Sequence, residues 1–202
     1  MNDNVTAIVL AGGKGKRLGQ AKATLKLGDR TIIEEVVDKM NGLAGDVLVV
    51  TSPIQDDLPR GLPAKVYTDI HPGRSALGGV YTGLVKSSTE YNLVVACDMP
   101  FLNLELLTYM MSLAPGVDMV TIKVGSNVEP LHAVYSKSCI GYIEDMFERG
   151  DLQVSHLLHM VDVRYIDEHE LDGYDPDHLS FFNINNKADL AHAMRLKEVA
   201  AK

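Results

Sequence analysis

The sequence predicts a Rossmann-like α/β fold, with a single three-layer domain and a mainly parallel, mixed sheet. Short β-branched apolar runs alternate with amphipathic stretches over the first two-thirds of the chain. This alternation is typical of a parallel sheet covered by helices on both faces. Hydrophobic residues make up 46% of the 202 residues, enough to fill one core of that size. With no repeats or proline-rich linkers in view, we expect one domain over residues 1–202.

Four runs in the first half are too short and too rich in β-branched residues for helices, so they are predicted as strands. They are Val5 to Leu10, Asp46 to Thr51, Ala64 to Thr68 and Leu93 to Cys97. Apolar residues recur at helical spacing from Ile33 to Met40, and Thr31 followed by Glu34 predicts a capping box at the start of that helix. Two more helices are predicted over Gly78 to Lys86 and Leu104 to Leu113.

The pattern changes after Ala114, and the later strands are expected to fold back and build part of the functional site. Strands are predicted over Met119 to Val124, Leu131 to Tyr135 and Val161 to Ile166, and a helix over Ser138 to Phe147. A last helix is predicted from about Lys187, with Asn186 as its cap and Asp189 complementing the helix dipole. The acidic stretch Asp167 to Asp177 lacks the ligand spacing of a calcium loop and is predicted to be a solvated loop.

The charge distribution limits the class of ligand. A net charge of −8 argues against a general nucleic-acid binder, and no apolar run reaches the roughly 20 residues of a membrane helix. Within this acidic chain, four basic residues crowd beside glycines, which favours a small anionic ligand. They are Lys14, Lys16, Arg17 and Lys22. The N-terminus lacks the basic start of a secretory signal. We expect a cytoplasmic protein that binds neither nucleic acid nor membrane.

A glycine- and lysine-rich loop, Leu10-Ala-Gly-Gly-Lys-Gly-Lys-Arg-Leu-Gly19, follows the first predicted strand. Its glycines let backbone amides approach phosphate oxygens, and its basic side chains supply matching charge. No frame provides a Walker A motif, and Leu18 stands where the dinucleotide fingerprint needs its third glycine. The loop therefore predicts a nucleoside triphosphate site of another type, over Gly12 to Lys22.

Two aspartates follow predicted strands directly. Asp98 ends the Leu93 to Cys97 run, and Asp69 stands in the same kind of position after Thr68. Ligands of open α/β sheets bind outside the carboxyl ends of the strands, although a lone aspartate there also serves as a cap or turn residue. If the two strands are neighbours, the carboxylates could hold Mg²⁺ together. Asp98 is predicted to bind the metal, and Asp69 to contact the nucleotide or the metal.

The motifs together resemble a known family. The loop, with Arg17 and Lys22 in order, resembles the signature of nucleotidyltransferases with a GT-A-like sheet. Pro72 to Val80, Glu129 to Tyr135 and Phe181 to Leu190 are similar to segments of the molybdenum cofactor guanylyltransferase family. The resemblance runs from residue 5 to about residue 195. It implies a nucleotide-diphospho-sugar-transferase-like fold and Mg²⁺-dependent transfer of GMP from GTP to molybdopterin, with release of pyrophosphate.

The resemblance also implies roles for individual residues. Contacts to the base and phosphates would come from Leu10, Ala11, Gly12 and Gly13, and Lys22 would contact the triphosphate. Asp69 would contact the nucleoside and Asp98 would bind Mg²⁺. Asn183 and Asn185 would contact the pterin. Arg17 is assigned to the leaving pyrophosphate from its charge and position. Catalysis would rest on Arg17, Lys22 and Asp98, which align groups and neutralise charge, so no enzyme nucleophile is needed. Cys97 is predicted to be a packed core residue.

Alternatives remain at this stage. The family usually has Gly-Pro-Leu where this chain has Ser75-Ala76-Leu77, and this departure keeps cytidylyl transfer to the same cofactor open. Nucleotidyl transfer to another small molecule, such as a sugar 1-phosphate, is a further alternative, and a non-catalytic nucleotide-binding regulator belongs to a different class. Beyond GTP and molybdopterin, the expected partners are proteins of molybdenum cofactor biosynthesis or acceptor proteins, in transient contact.

Overall fold

A seven-stranded mixed sheet forms the centre of the computed structural model, which describes residues 2–12, 22–53 and 58–200. The strands in this part of the chain are β1 Asn2–Leu10, β2 Lys26–Leu27, β3 Arg30–Thr31, β4 Ala44–Thr51, β5 Lys65–Thr68, β6 Tyr91–Ala96, β7 Met119–Val124, β8 Asn127–Ser136 and β9 Val163–Ile166. The α-helices are α1 Ile32–Asn41, α2 Ser75–Lys86, α3 Leu104–Ser112, α4 Cys139–Glu148, α5 Val154–Leu157, α6 Glu168–Asp172 and α7 Lys187–Ala200.

The large sheet has the strand order β5-β4-β1-β6-β8-β7-β9. The first four strands pair in parallel, β8 pairs antiparallel with both β6 and β7, and β9 pairs in parallel with β7. The strand β1 lies between β4 and β6, and its apolar side chains are buried on both faces because helices cover both sides of the sheet. The predicted mixed, mainly parallel sheet is confirmed.

Helices cover the sheet on both faces, as the three-layer prediction requires. One core contains apolar side chains of α1, α3, α6 and α7, and the other contains those of α2, α4 and α5. The capping box of α1 is present, since Thr31 and Glu34 exchange hydrogen bonds. Asn186 caps α7, because its Oδ1 accepts from the amides of Ala188 and Asp189 at 2.8 and 3.0 Å.

Several boundaries differ from prediction. The helix α2 begins at Ser75 rather than Gly78. The strand β8 begins at Asn127 rather than Leu131, because β7 and β8 form a hairpin through Gly125, which has φ 57°. A two-residue hairpin, β2–β3, was not predicted from the sequence.

The prediction of a solvated loop over Asp167 to Asp177 is wrong. Asp167 forms a capping box with Glu170 at the start of α6. Leu171 is wholly buried, and the carboxylate of the buried Asp175 accepts from the amides of two later residues in the chain, Leu179 and Ser180. The acidic composition of this segment suggested exposure to solvent, but the buried side chain of Leu171 attaches it to the core. No helix in the part of the chain that the structure describes is long and apolar enough to cross a membrane.

Candidate active site

The site is built where β1 and β6 end side by side. The amide of Cys97 donates to the Leu10 carbonyl at 3.1 Å, so the two chains stay together past the end of the strands. Asp98 follows, and its Oδ2 accepts from Lys22 Nζ at 2.7 Å. Lys22 lies in a short 3-10 helix, Lys22–Thr24, directly before the β2–β3 hairpin. The structure therefore brings together two predicted site residues that are far apart in the sequence.

Asn185 joins the same cluster. Its Oδ1 accepts from Lys22 Nζ at 2.6 Å, and the amide of Ile184 donates to the Asp98 carbonyl at 3.0 Å. The turn before α7 is thus attached to the end of β6 by a backbone hydrogen bond. Asn183 lies in the same turn, where its side-chain amide donates to the Phe181 carbonyl at 3.1 Å.

The Lys22 cluster has the chemistry of a cation site. A carboxylate oxygen of Asp98 and an amide oxygen of Asn185 converge on one ammonium group, and oxygens of these types are the ligands that Mg²⁺ prefers. Among the described residues, no three His, Cys, Asp or Glu side chains are grouped to hold a metal. The donor set fits Mg²⁺, because that ion is usually bound by one or two carboxylates and completed by substrate phosphates and water.

Asp69 does not share this centre. The condition for a shared metal, that its strand neighbours that of Asp98, is not met, because β4 and β1 lie between β5 and β6. Three strand spacings put the two positions about 14 Å apart. The Asp69 carboxylate accepts from the His71 amide and the Thr82 hydroxyl, both at 2.9 Å. It lies against α2 so closely that a Cβ added to Gly78 would come within 2.9 Å of Asp69 Oδ2.

Between Asp98 and Asp69 lies the start of the predicted phosphate loop. Leu10 and Ala11 are buried, and the Ala11 amide donates to the Val50 carbonyl at 2.8 Å. Gly12 is exposed, and its backbone passes close to Ser52 at the end of β4. The predicted contacts Gly13 and Arg17 lie outside the described residues, as do Lys14 and Lys16.

The departure at Ser75 has a backbone consequence. Ser75 has φ 54°, a left-handed conformation that glycine adopts most easily. Its hydroxyl donates to the Leu152 carbonyl at 2.9 Å, which helps to hold the residue there. The serine therefore takes a backbone conformation that suits the glycine usual in the resembled family. The preceding Arg74 stacks on Phe147, with its guanidinium carbon 4.3 Å from the ring centre.

Glu129 is a site residue whose position sequence reasoning missed. Val95 of β6 pairs with His132 of β8 in the antiparallel ladder. Beyond the end of this ladder, Glu129 and Asp98 lie close enough for the charge of Asp98 to act on the Glu129 carboxyl. Burial raises the pKa of the Glu129 carboxyl, and the negative charge of Asp98 raises it further, against a backbone hydrogen bond from Leu131 that lowers it. The antiparallel pairing that creates this proximity is not readable from the motif alone.

Cys97 is a packed residue, as predicted. Its side chain is buried, and burial raises the pKa of the thiol to about 12, with a smaller contribution from the charge of Asp98. Since the thiolate is the nucleophilic form of cysteine, this side chain is inert at neutral pH. Cys97 therefore adds no nucleophile to the cluster of Lys22, Asp98 and Asn185.

Known proteins share this arrangement of sequence and fold. A family model for the MobA-like NTP transferase domain matches residues 7–166. A probable molybdenum cofactor guanylyltransferase of Pelotomaculum thermopropionicum is 34% identical over 96% of this chain and 93% of its own length. A molybdenum cofactor guanylyltransferase of Desulfosudis oleivorans is 36% identical over 95% of each chain. The crystal structure of molybdopterin-guanine dinucleotide biosynthesis protein A from Archaeoglobus fulgidus superposes with a TM-score of 0.85 at 27% identity, covering 96% of this chain and 99% of that one.

Proposed function

This chain belongs to the MobA-like NTP transferase family, and we propose that it transfers GMP from GTP to molybdopterin, releasing pyrophosphate and forming the guanine dinucleotide form of the cofactor. The observation that carries the proposal is the convergence of Lys22, Asp98 and Asn185, from three distant parts of the sequence, on one point. Relatives that match nearly the whole chain carry the name of this activity.

The donor nucleotide is assigned to the β1-β4-β5 half of the sheet. Residues 10–12 end β1, and Asp69 follows β5 beneath α2. We assign the base and sugar to the surface between these positions, with the phosphates directed toward Lys22. The triphosphate would then lie between the backbone amides that follow β1 and the ammonium of Lys22, an arrangement typical of anion sites at glycine-rich turns.

The transfer needs alignment and charge neutralisation more than covalent catalysis. A phosphate oxygen of the acceptor attacks the α-phosphorus in line, the bond to the bridging oxygen breaks, and pyrophosphate leaves. Lys22 donates hydrogen bonds to the phosphate oxygens on which charge develops. Asp98 would hold Mg²⁺ with the Asn185 oxygen beside it, and the bound ion would neutralise phosphate charge. The ion pair between Lys22 and Asp98 places both groups before the substrate arrives.

The direct test is product formation with competing nucleotides. Purified protein is incubated with molybdopterin, Mg²⁺ and each of GTP, CTP, ATP and UTP, and pyrophosphate and dinucleotide are measured. We expect dinucleotide from GTP alone, and none when Mg²⁺ is chelated. If CTP is used equally well, or displaces GTP at equal or lower concentration, guanylyl transfer is wrong and the cytidylyl alternative replaces it.

Other assignments stay predictions. These are the phosphate contacts of Gly13 and Arg17, the pterin contacts of Asn183 and Asn185, a cytoplasmic location, and transient contact with proteins of molybdenum cofactor biosynthesis or acceptor proteins. Asn185 lies at Lys22, so a pterin contact from this residue would require it to exchange partners when substrate binds.

A further inference from the structure

An open pocket of about 220 Å³ lies on the far side of Asp98 from the donor half of the sheet. It is formed by the β7–β8 hairpin and by the segment before α7. The lining residues are Ile122, Val124, Asn127, Val128, Glu129, His178 and Phe181. Pockets for drug-sized ligands hold about 300–1,000 Å³, so this smaller space suits one fused ring system rather than a whole nucleotide. Mostly apolar walls with one carboxylate are what a planar heterocycle requires.

Glu129 is the charged group of the pocket. Its side chain is partly buried on β8, which pairs with the strand that leads to Asp98, and it lies near enough to feel the charge of Asp98. An ionised carboxylate has two oxygens that only accept hydrogen bonds. It therefore matches a ligand edge on which two N–H donors lie side by side, as in the amino group and ring N–H of a 2-amino-4-oxopyrimidine.

His178 and Phe181 form another wall of the pocket, and the orientation of the His178 ring is fixed by a neighbouring side chain. His178 has φ 52°, a left-handed conformation uncommon outside glycine and concentrated at functional sites. Its Nε2 lies 2.8 Å from Asp172 Oδ1, which fixes the orientation of the ring. Phe181 presents an aromatic ring to the pocket, and the ring of His132 packs behind it with centroids 5.0 Å apart.

The side chain of His132, which packs against Phe181, is in an unfavourable environment. It is wholly buried, and neither ring nitrogen has a hydrogen-bond partner among the described residues. Buried polar atoms are rarely left unpaired. The contact with Phe181 therefore places an unsatisfied group directly behind the surface on which a ring would stack.

We propose that this pocket binds the heterocycle of the acceptor, with Glu129 accepting hydrogen bonds from its 2-amino-4-oxopyrimidine edge and Phe181 packing on its face. The inference rests on the proposed function, because it takes the acceptor to be a pterin. Guanine has the same edge, so the donor base is the other possible source of this chemistry. The acceptor is favoured since the pocket lies on β7 and β8, across Asp98 from the strands assigned to the nucleotide.

The test uses fluorescent 6-hydroxymethylpterin as the probe. Binding is measured by fluorescence titration to the wild type and to the variants Glu129→Gln, Phe181→Leu and Glu148→Gln, with GTP affinity measured in parallel. Glu148 is exposed on α4, which covers the other face of the sheet. We expect pterin binding to weaken about tenfold or more in Glu129→Gln and Phe181→Leu, and to be unchanged in the control. GTP affinity should be unchanged in all three, and melting temperatures verify folding.

Several outcomes overturn the inference. Pterin that does not bind the wild type, or that binds folded Glu129→Gln and Phe181→Leu as well as the wild type, removes the pocket from acceptor recognition. Displacement of the pterin by guanosine would assign the pocket to the donor base. A change in GTP affinity alone would mean that Glu129 acts only through Asp98. Failure of GMP transfer to molybdopterin, with Glu129-dependent pterin binding intact, would instead refute the proposed function and leave the pocket assignment standing.

Discussion

The ion pair between Lys22 and Asp98 contributes little to the stability of the fold. The side chain of Lys22 is 27% exposed and that of Asp98 is 14% exposed, and partly exposed ion pairs contribute only about 0–1 kcal/mol. The contact matters for position, because it holds a cationic hydrogen-bond donor beside the carboxylate that is proposed to bind Mg²⁺ at the end of β6. Asn185 completes the arrangement from the turn before α7.

The substitution Lys22→Ala is expected to reduce turnover by about 10²–10³, as loss of a donor that stabilises transition-state charge does elsewhere. The fold should survive, because Lys22 does not belong to either core. The matched control is Lys26→Ala, an exposed lysine on the adjacent β2, which should keep wild-type turnover. Steady-state kinetics with circular dichroism on both variants measures this. Wild-type turnover in folded Lys22→Ala would remove the lysine from the mechanism.

At the scale of elements, α2 connects the donor side of the site to the core. Near its start, Gly78 lies against Asp69, and one face further along packs on β1. The closest approach is at Gly83, where an added Cβ would lie 2.4 Å from Ile8 Cγ2. Ile8 is wholly buried and branched at Cβ, so it cannot move aside easily. The helix can lie this close to the sheet only because Gly83 has no side chain.

We therefore predict opposite effects for two glycine-to-alanine changes within helices. Gly83→Ala should lower the free energy of unfolding by about 1–3 kcal/mol through overpacking, since the gain in helix propensity is at most about 1 kcal/mol. Gly141→Ala on the exposed face of α4, where an added Cβ meets nothing within 4 Å, should be neutral or stabilising by up to about 1 kcal/mol. The free energy of unfolding of both variants is measured by urea denaturation. A Gly83→Ala protein as stable as the Gly141→Ala protein would refute the close packing.

In the molecule as a whole, the two halves of the sheet present different groups of residues. The parallel strands β1, β4 and β5 present residues 10–12 and Asp69, and the antiparallel hairpin β7–β8 presents Glu129 and the pocket. The strand β6 lies between these halves and ends at Asp98. Under the proposed function, a phosphate of the acceptor and the α-phosphate of the donor would meet at Asp98, between the two halves.

Global stability should depend on pH through His132. Burial lowers the pKa of this imidazole to about 4, from an ordinary value of 6.5. The unfolded chain therefore binds a proton across the window from pH 6.5 to 4 that the folded protein does not, so stability rises with pH through that window and falls as the pH is lowered. The loss from this one residue is about 2 kcal/mol at pH 5 relative to neutral pH.

The variant His132→Leu should lack this contribution. At pH 7.5 it should be at least as stable as the wild type, because two unpaired buried nitrogens are replaced by an apolar group of similar size. Between pH 7.5 and 5, its free energy of unfolding should fall by about 2 kcal/mol less than that of the wild type. Urea unfolding at both pH values measures the difference, in which the titration of other groups cancels. Parallel pH dependence in the two proteins would contradict the prediction.

Local sequence patterns and motifs are sufficient to predict the fold class, the family and the residues of the central cluster. Strand and helix periods are local properties, and so are the capping box at Thr31 and the cap at Asn186. The position of Asp98 at the end of an apolar strand also marks it as a ligand candidate without tertiary information. Lys22 and Asn185 were recognised from motifs, and the structure places both within hydrogen-bond distance of one another.

Which of these residues lie together depends on long-range packing that sequence patterns do not encode. The sequence gives no strand order, so it allowed Asp69 and Asp98 to share a metal, whereas two intervening strands separate them. The acid whose charge interacts with that of Asp98 is instead Glu129, because β8 runs antiparallel beside β6. Helical and strand periods follow from local backbone geometry, but strand order and register follow from packing between segments distant in the chain. Contacts of that second kind place Asn185 at Lys22 and pack His132 against Phe181, where its ring nitrogens have no hydrogen-bond partner among the described residues.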